Sequence, residues 1–67
     1  MLYAKLIDAN EPDRILFNVE IFRSMPRFLE RGEPIAYLVT ETEAETILHS
    51  FEQESGESVK LLSAWNR

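Results

Sequence analysis

The sequence predicts an α+β domain: a three- to four-stranded, mostly antiparallel sheet with one long helix, about residues 41–54, packed on one face. A short helix over about 25–31 completes the order ββ(α)βαβ. Three observations carry this reading. Residues 40–56, TETEAETILHSFEQESG, hold a start signal, an apolar stripe and a stop signal for a helix. The flanking segments alternate with period two and are rich in β-branched and aromatic residues. Sixty-seven residues leave room for a single domain around one core.

The first two strands form a hairpin. In MLYAKLI, Leu2, Ala4 and Leu6 alternate with Tyr3, Lys5 and Ile7. In RILFNVEIFR, Ile15, Phe17, Val19 and Ile21 share one face, and Leu16, Asn18, Glu20 and Phe22 the other. Between them DANEPD supplies turn residues, in a loop too long to fix the register.

FRSMPRFLERGEP follows. Ser24 is placed to cap a helix from Met25 to Arg31, and Gly32 to end it in a left-handed conformation. Pro26 fits only in the first turn of that helix, so the boundary with the strand falls near Arg23. Arg27 and Arg31 then make one helical pair, with Arg23 ahead of them.

PIAYLVT reads as the third strand, opened by Pro34. Thr40 and Glu43 form a capping box for the long helix. Ala44, Ile47, Leu48 and Phe51 follow the i, i+3, i+4, i+7 rule, and Gly56 closes the element. SVKLLSAW reads as a last strand, with a short helix through Leu61, Leu62 and Trp65 as the competing reading.

The predicted faces raise a packing question. The helix stripe meets Ile15, Phe17, Val19 and Ile21. The opposite face inherits Leu16, Phe22 and one alternating set from each other strand, more apolar matter than a wet sheet face carries. The predicted covers are the short helix with Phe28 and Leu29, a second copy of the chain, or a different protein. At about 25 cal/mol per Å² of apolar surface, hiding a few such side chains is comparable to the whole stability of a small domain.

Composition narrows the functional classes. There is no cysteine and one histidine, which excludes disulfides and cysteine-rich zinc sites and disfavours any metal cage. No apolar run approaches the roughly 20 residues of a membrane span. Lys5 and Asp8 interrupt any signal-peptide core, so the expectation is a cytoplasmic protein with no membrane segment. Net charge is −5, with a pI near 4.7, which disfavours nucleic acid as a partner.

Four groups of residues are candidates for function. Arg23, Arg27 and Arg31 are three of seven basic residues, suited to an anion or an acidic partner. The plainer alternative is a solvated face balanced by nearby glutamates. Glu41, Glu45 and Glu52 share one side of the long helix with His49. As a patch they offer an acidic surface to a basic partner, and Glu45, His49 and Glu52 have the spacing to hold a divalent cation, a reading set behind a solvated helix face because catalytic metal sites draw on three well-supported ligands and an outer shell. The strand aromatics Tyr3, Phe17, Phe22, Tyr37 and Trp65 suit core or interface packing better than base stacking, because no RNA-binding sequence motif accompanies them. Phe22, Phe28 and Trp65 are the apolar candidates for partner contact, with Trp65 near the C-terminus as a possible anchor.

Enzymatic chemistry has little support. His49 lies on the predicted polar side of its helix, and no nucleophile elbow or phosphate-binding loop is present. The functional expectation is a non-enzymatic protein-binding module of regulatory or inhibitory type, acting through an apolar sheet face rimmed by charge. Its partner is itself, as a homodimer, or another protein, and it uses no cofactor and no metal. The alternative is a nucleic-acid binder using Arg23, Arg27, Arg31 and exposed aromatics.

Overall fold

The computed structural model describes residues 1–65, with side chains as far as residue 62. Four strands and one helix follow in the order β1 (Leu2–Asp8), β2 (Phe17–Phe22), β3 (Glu33–Val39), α1 (Glu41–Ser55) and β4 (Val59–Trp65). The strands form one sheet in the order β3-β2-β1-β4. β1 pairs antiparallel with β2, and β2 antiparallel with β3, but β4 runs parallel to β1. The sheet is therefore mixed, with two antiparallel pairings and one parallel one.

The parallel edge follows from α1. The helix leaves β3 at one edge of the sheet and delivers β4 to the other. A helix that crosses a sheet returns the chain in the direction it came from, so β3 and β4 point the same way.

α1 forms where the sequence places it. The Thr40 side chain accepts the Glu43 N–H at 3.1 Å, and Glu43 Oε1 accepts the Thr40 N–H at 2.9 Å. Two otherwise orphaned backbone donors are satisfied in this reciprocal way. Gly56 adopts φ +75° and donates its N–H to the Glu52 carbonyl at 2.9 Å, closing the last turn.

The core lies between α1 and the sheet. Leu2, Ala4 and Leu6 of β1 and Phe17, Val19 and Ile21 of β2 pack with Ala44 and Leu48 of the helix. Phe51, Ile35, Ala36, Val39 and Val59 close its margins. Ile15 is not part of it and is 77% exposed. The ladder begins only at Phe17, because the Ala9 N–H donates to the Leu16 carbonyl and leaves Ile15 in the loop. At the other end of that loop the Asn10 N–H donates to Asp8 Oδ1 at 2.8 Å, and Asn10 takes φ +61°, as short polar side chains in turns do.

β3 is an irregular edge. Tyr37 and Leu38 together face Asn18, and Ile35 is a second extra residue between Val19 and Glu20. Leu38 takes φ +54°, and its N–H donates to Asn18 Oδ1 at 3.1 Å. Two bulges and Pro34 make this edge a poor template for another strand.

Residues 23–32 form no helix. They make a single turn, in which the Glu30 N–H donates to the Arg27 carbonyl at 3.0 Å and Leu29 takes φ +69°. The short helix fails for a physical reason. Pro26 leaves five residues before Gly32, too few to repay helix nucleation. The competing donors are also taken: the Arg27 N–H by Glu30 Oε1, and the Gly32 N–H by Glu20 Oε1.

Candidate functional site

The face of the sheet away from α1 is closed by charge as well as by apolar side chains. β1 and β2 are the central strands, and each buries side chains on both of its faces. Lys5 and Glu20 stand opposite each other in the register and are 5% and 2% exposed. Leu16 and Phe22 are also buried. Lys5 Nζ lies 5.1 Å from the centre of the Phe22 ring, within range of a cation–π contact.

Glu20 is the centre of this arrangement. Its Oε2 accepts from Arg31 Nε at 2.9 Å and Nη2 at 2.7 Å, and its Oε1 accepts from the Gly32 N–H at 2.8 Å. Burial pushes the carboxyl pKa upward. The Arg31 and Gly32 hydrogen bonds, together with the charges of Arg31 and Lys5, outweigh it and leave the pKa below its ordinary value. The hydrogen bond and charge of Glu20 in turn raise the pKa of Arg31.

Gly32 completes the clamp through its lack of a side chain, not through a left-handed backbone. A Cβ there would lie 2.6 Å from the Ile21 carbonyl oxygen and 2.8 Å from Cζ of Phe22. Both distances are below any real carbon contact, so only glycine lets the returning chain rest on the Phe22 ring. The base of the 23–32 loop is thereby pinned to the sheet.

The tip of the same loop projects outward. Phe28 and Leu29 are 74% and 75% exposed, and Met25 is 56% exposed. They share an open surface concavity with Ser24, Arg27 and Glu30. Phe28 and Leu29 therefore do not roof the sheet face, contrary to the role expected of a short helix. Arg23 and Arg27 are exposed on either side of Met25. Residues 23–31 hold three arginines against one glutamate, within a chain of net charge −5.

The remaining candidates fall apart from this loop. Arg31 is engaged by Glu20, so the three arginines do not form one stripe. Phe22 is buried beneath Gly32 and close to Lys5, away from any surface contact. Glu41, Glu45 and His49 are exposed on α1. Glu52 works within the fold, its Oε2 accepting the Val59 N–H at 2.6 Å where β4 begins. Among the described residues no group of three or more His, Asp or Glu side chains is placed to hold a metal ion. Trp65 ends β4, and its side chain lies outside the described ones.

The residues that sequence reasoning missed are Met25 and Leu29 at the loop tip, and Lys5, Glu20 and Gly32 at its base. A signal was present: each central strand carries one charge inside an apolar alternation, LYAKLID and FNVEIF, and the two charges are opposite. No helix among the described residues is long and apolar enough to cross a membrane. Comparison with known proteins finds no family model, no curated protein and no solved structure that matches this chain.

Proposed function

We propose that this chain is a small non-enzymatic protein-binding module, of regulatory or inhibitory type, that docks through the tip of its 23–31 loop. One observation carries the reading. Met25, Phe28 and Leu29, three large apolar side chains within five residues, stand mostly in solvent on a loop whose base is fastened by Glu20, Arg31 and Gly32. Large apolar side chains grouped at the surface mark interaction sites more often than scattered ones do. A fastened base lowers the ordering cost of binding.

This moves the proposed contact from the open sheet face to the loop. The expected argument for a homodimer was an uncovered apolar face. Lys5, Glu20 and the chain's own loop occupy that face, which removes the main physical reason for self-association. Arg23, Arg27 and Phe28 stay in the proposed contact, whereas Phe22 and Glu52 are occupied inside the fold. The nucleic-acid alternative loses its third arginine to Glu20. His49 stands exposed on the helix, outside the concavity that Met25, Phe28 and Leu29 share.

The test is a comparison of immobilised wild-type chain with a Met25→Ser, Phe28→Ser, Leu29→Ser variant in extracts of the cells that carry it. A protein retained by the first and lost from the second supports docking through the tip. Equal retention by both removes the loop as the binding element.

A further inference from the structure

We infer that the loop docks into an apolar pocket rimmed by acidic residues on a different protein. This rests on the reading of the loop as the docking element and adds the chemistry of what it meets. The first argument is charge. Arg23 and Arg27 are both exposed, one on either side of Met25 and the second beside Phe28, and they outnumber the one exposed acid of the tip, Glu30, while the chain as a whole carries −5. Complementary charge around an apolar anchor selects the partner and speeds the encounter.

The second argument separates a different protein from another copy. Two copies repel through their net negative charge. Two-fold pairing through the tips would also bring the arginines of one loop against those of the other. The acidic face of α1 offers the right charge, but none of the large apolar side chains exposed among the described residues lies on that helix. A second copy therefore supplies the rim without the pocket.

The third argument is conformational. Leu29 occupies the turn position with φ +69°, where glycine would be relaxed. A large apolar side chain is held there, 75% exposed, against its backbone preference. Strain of this kind persists where the surrounding structure enforces it and is found at binding surfaces. Here the enforcing contacts are the Arg27–Glu30 turn and the Glu20 clamp.

A phage-displayed library of random peptides, selected on the immobilised full chain, tests this inference. Counter-selection uses the Met25→Ser, Phe28→Ser, Leu29→Ser variant, with circular dichroism confirming that it is folded. Leu29→Gly is the second variant, because it deletes the side chain while relaxing the backbone. The expected peptides place Asp or Glu beside Leu, Ile, Phe or Trp, and lose about tenfold or more in affinity against Arg23→Glu, Arg27→Glu chain. Tip-dependent peptides without acidic residues would overturn the acidic rim and leave the loop as docking element. Peptides that bind the variants equally, or no enrichment at all, would overturn both. Tip-dependent binding to phosphatidylcholine–phosphatidylglycerol vesicles or to an oligonucleotide, with no acidic peptide selected, would overturn it in favour of a membrane or nucleic-acid surface.

Discussion

Replacing Gly32 by alanine is expected to destabilise the protein substantially, for a reason unrelated to backbone angles. The added Cβ would sit 2.6 Å from the Ile21 carbonyl oxygen and within 2.9 Å of two Phe22 ring carbons. The oxygen belongs to a central strand and cannot rotate away. The ring is 5% exposed and packed beside Lys5, so it has little room to retreat. The loop must lift instead, which also lengthens the Gly32 hydrogen bond to Glu20. Overpacking of this kind costs about 1–3 kcal/mol. In a domain of this size each kcal/mol lowers Tm by roughly 4–8 °C, so the expected loss is on the order of 10 °C. Gly56 provides the control. It has φ +75° and nothing within 4 Å of its would-be Cβ. Alanine there meets only the left-handed penalty of about 1–2 kcal/mol, and asparagine, which tolerates that region, recovers part of it. Asparagine should therefore be better than alanine at 56 and worse at 32. Thermal and urea unfolding followed by far-ultraviolet circular dichroism reads both pairs. A Gly32→Ala chain melting within about 2 °C of wild type would refute the close approach of the loop to Phe22.

Three further outcomes are expected. Glu20 has its pKa depressed below 4.5 in the folded chain, so the stability it contributes is present above that value and lost as pH falls through the folded pKa. Urea midpoints measured down the acid range should fall less steeply for Glu20→Gln than for wild type, and parallel curves would contradict the clamp. Thr40→Ala should cost about 1 kcal/mol. Glu43→Ala should add less than its own effect when combined with it, because the two side chains form one reciprocal cap, as a double-mutant cycle in urea would report. Leu29→Gly should raise the unfolding free energy by about 1 kcal/mol through relief of the positive φ. A destabilised Leu29→Gly chain would mean that the side chain packs within the fold.

Much of the architecture was legible in the sequence because it is governed locally. The Thr40–Glu43 box and Gly56 bound α1 at both ends, period two marked β1 and β2 and weighed for a strand against a short helix at β4, and Pro34 opened β3. What stayed hidden depends on contacts between distant segments. The direction of β4 follows from the path of α1 across the sheet, which no strand pattern records. The 23–32 loop contains a cap-like Ser24, Pro26 and Gly32, the right punctuation for a helix. Its backbone donors are instead taken by Glu30 and by Glu20, a residue on another element. Gly32 was read as a helix terminator because glycine serves both steric and conformational needs, and only the position of Phe22 separates them. Of the candidate site, the arginines and Phe28 were found by composition and spacing. Glu20 was missed because a charge within an alternating strand reads as a solvent-facing residue until the strand proves central.

The claim on which this account depends is that the second sheet face is closed by the chain's own loop, fastened at Glu20. Hydrogen exchange of the Gly32 amide, followed by NMR on dilute protein, tests it directly. The account predicts protection comparable to that of the central-strand amides of Leu6 and Val19, because the Gly32 N–H is held by a buried carboxylate. Exchange at the rate of an unstructured loop would contradict it.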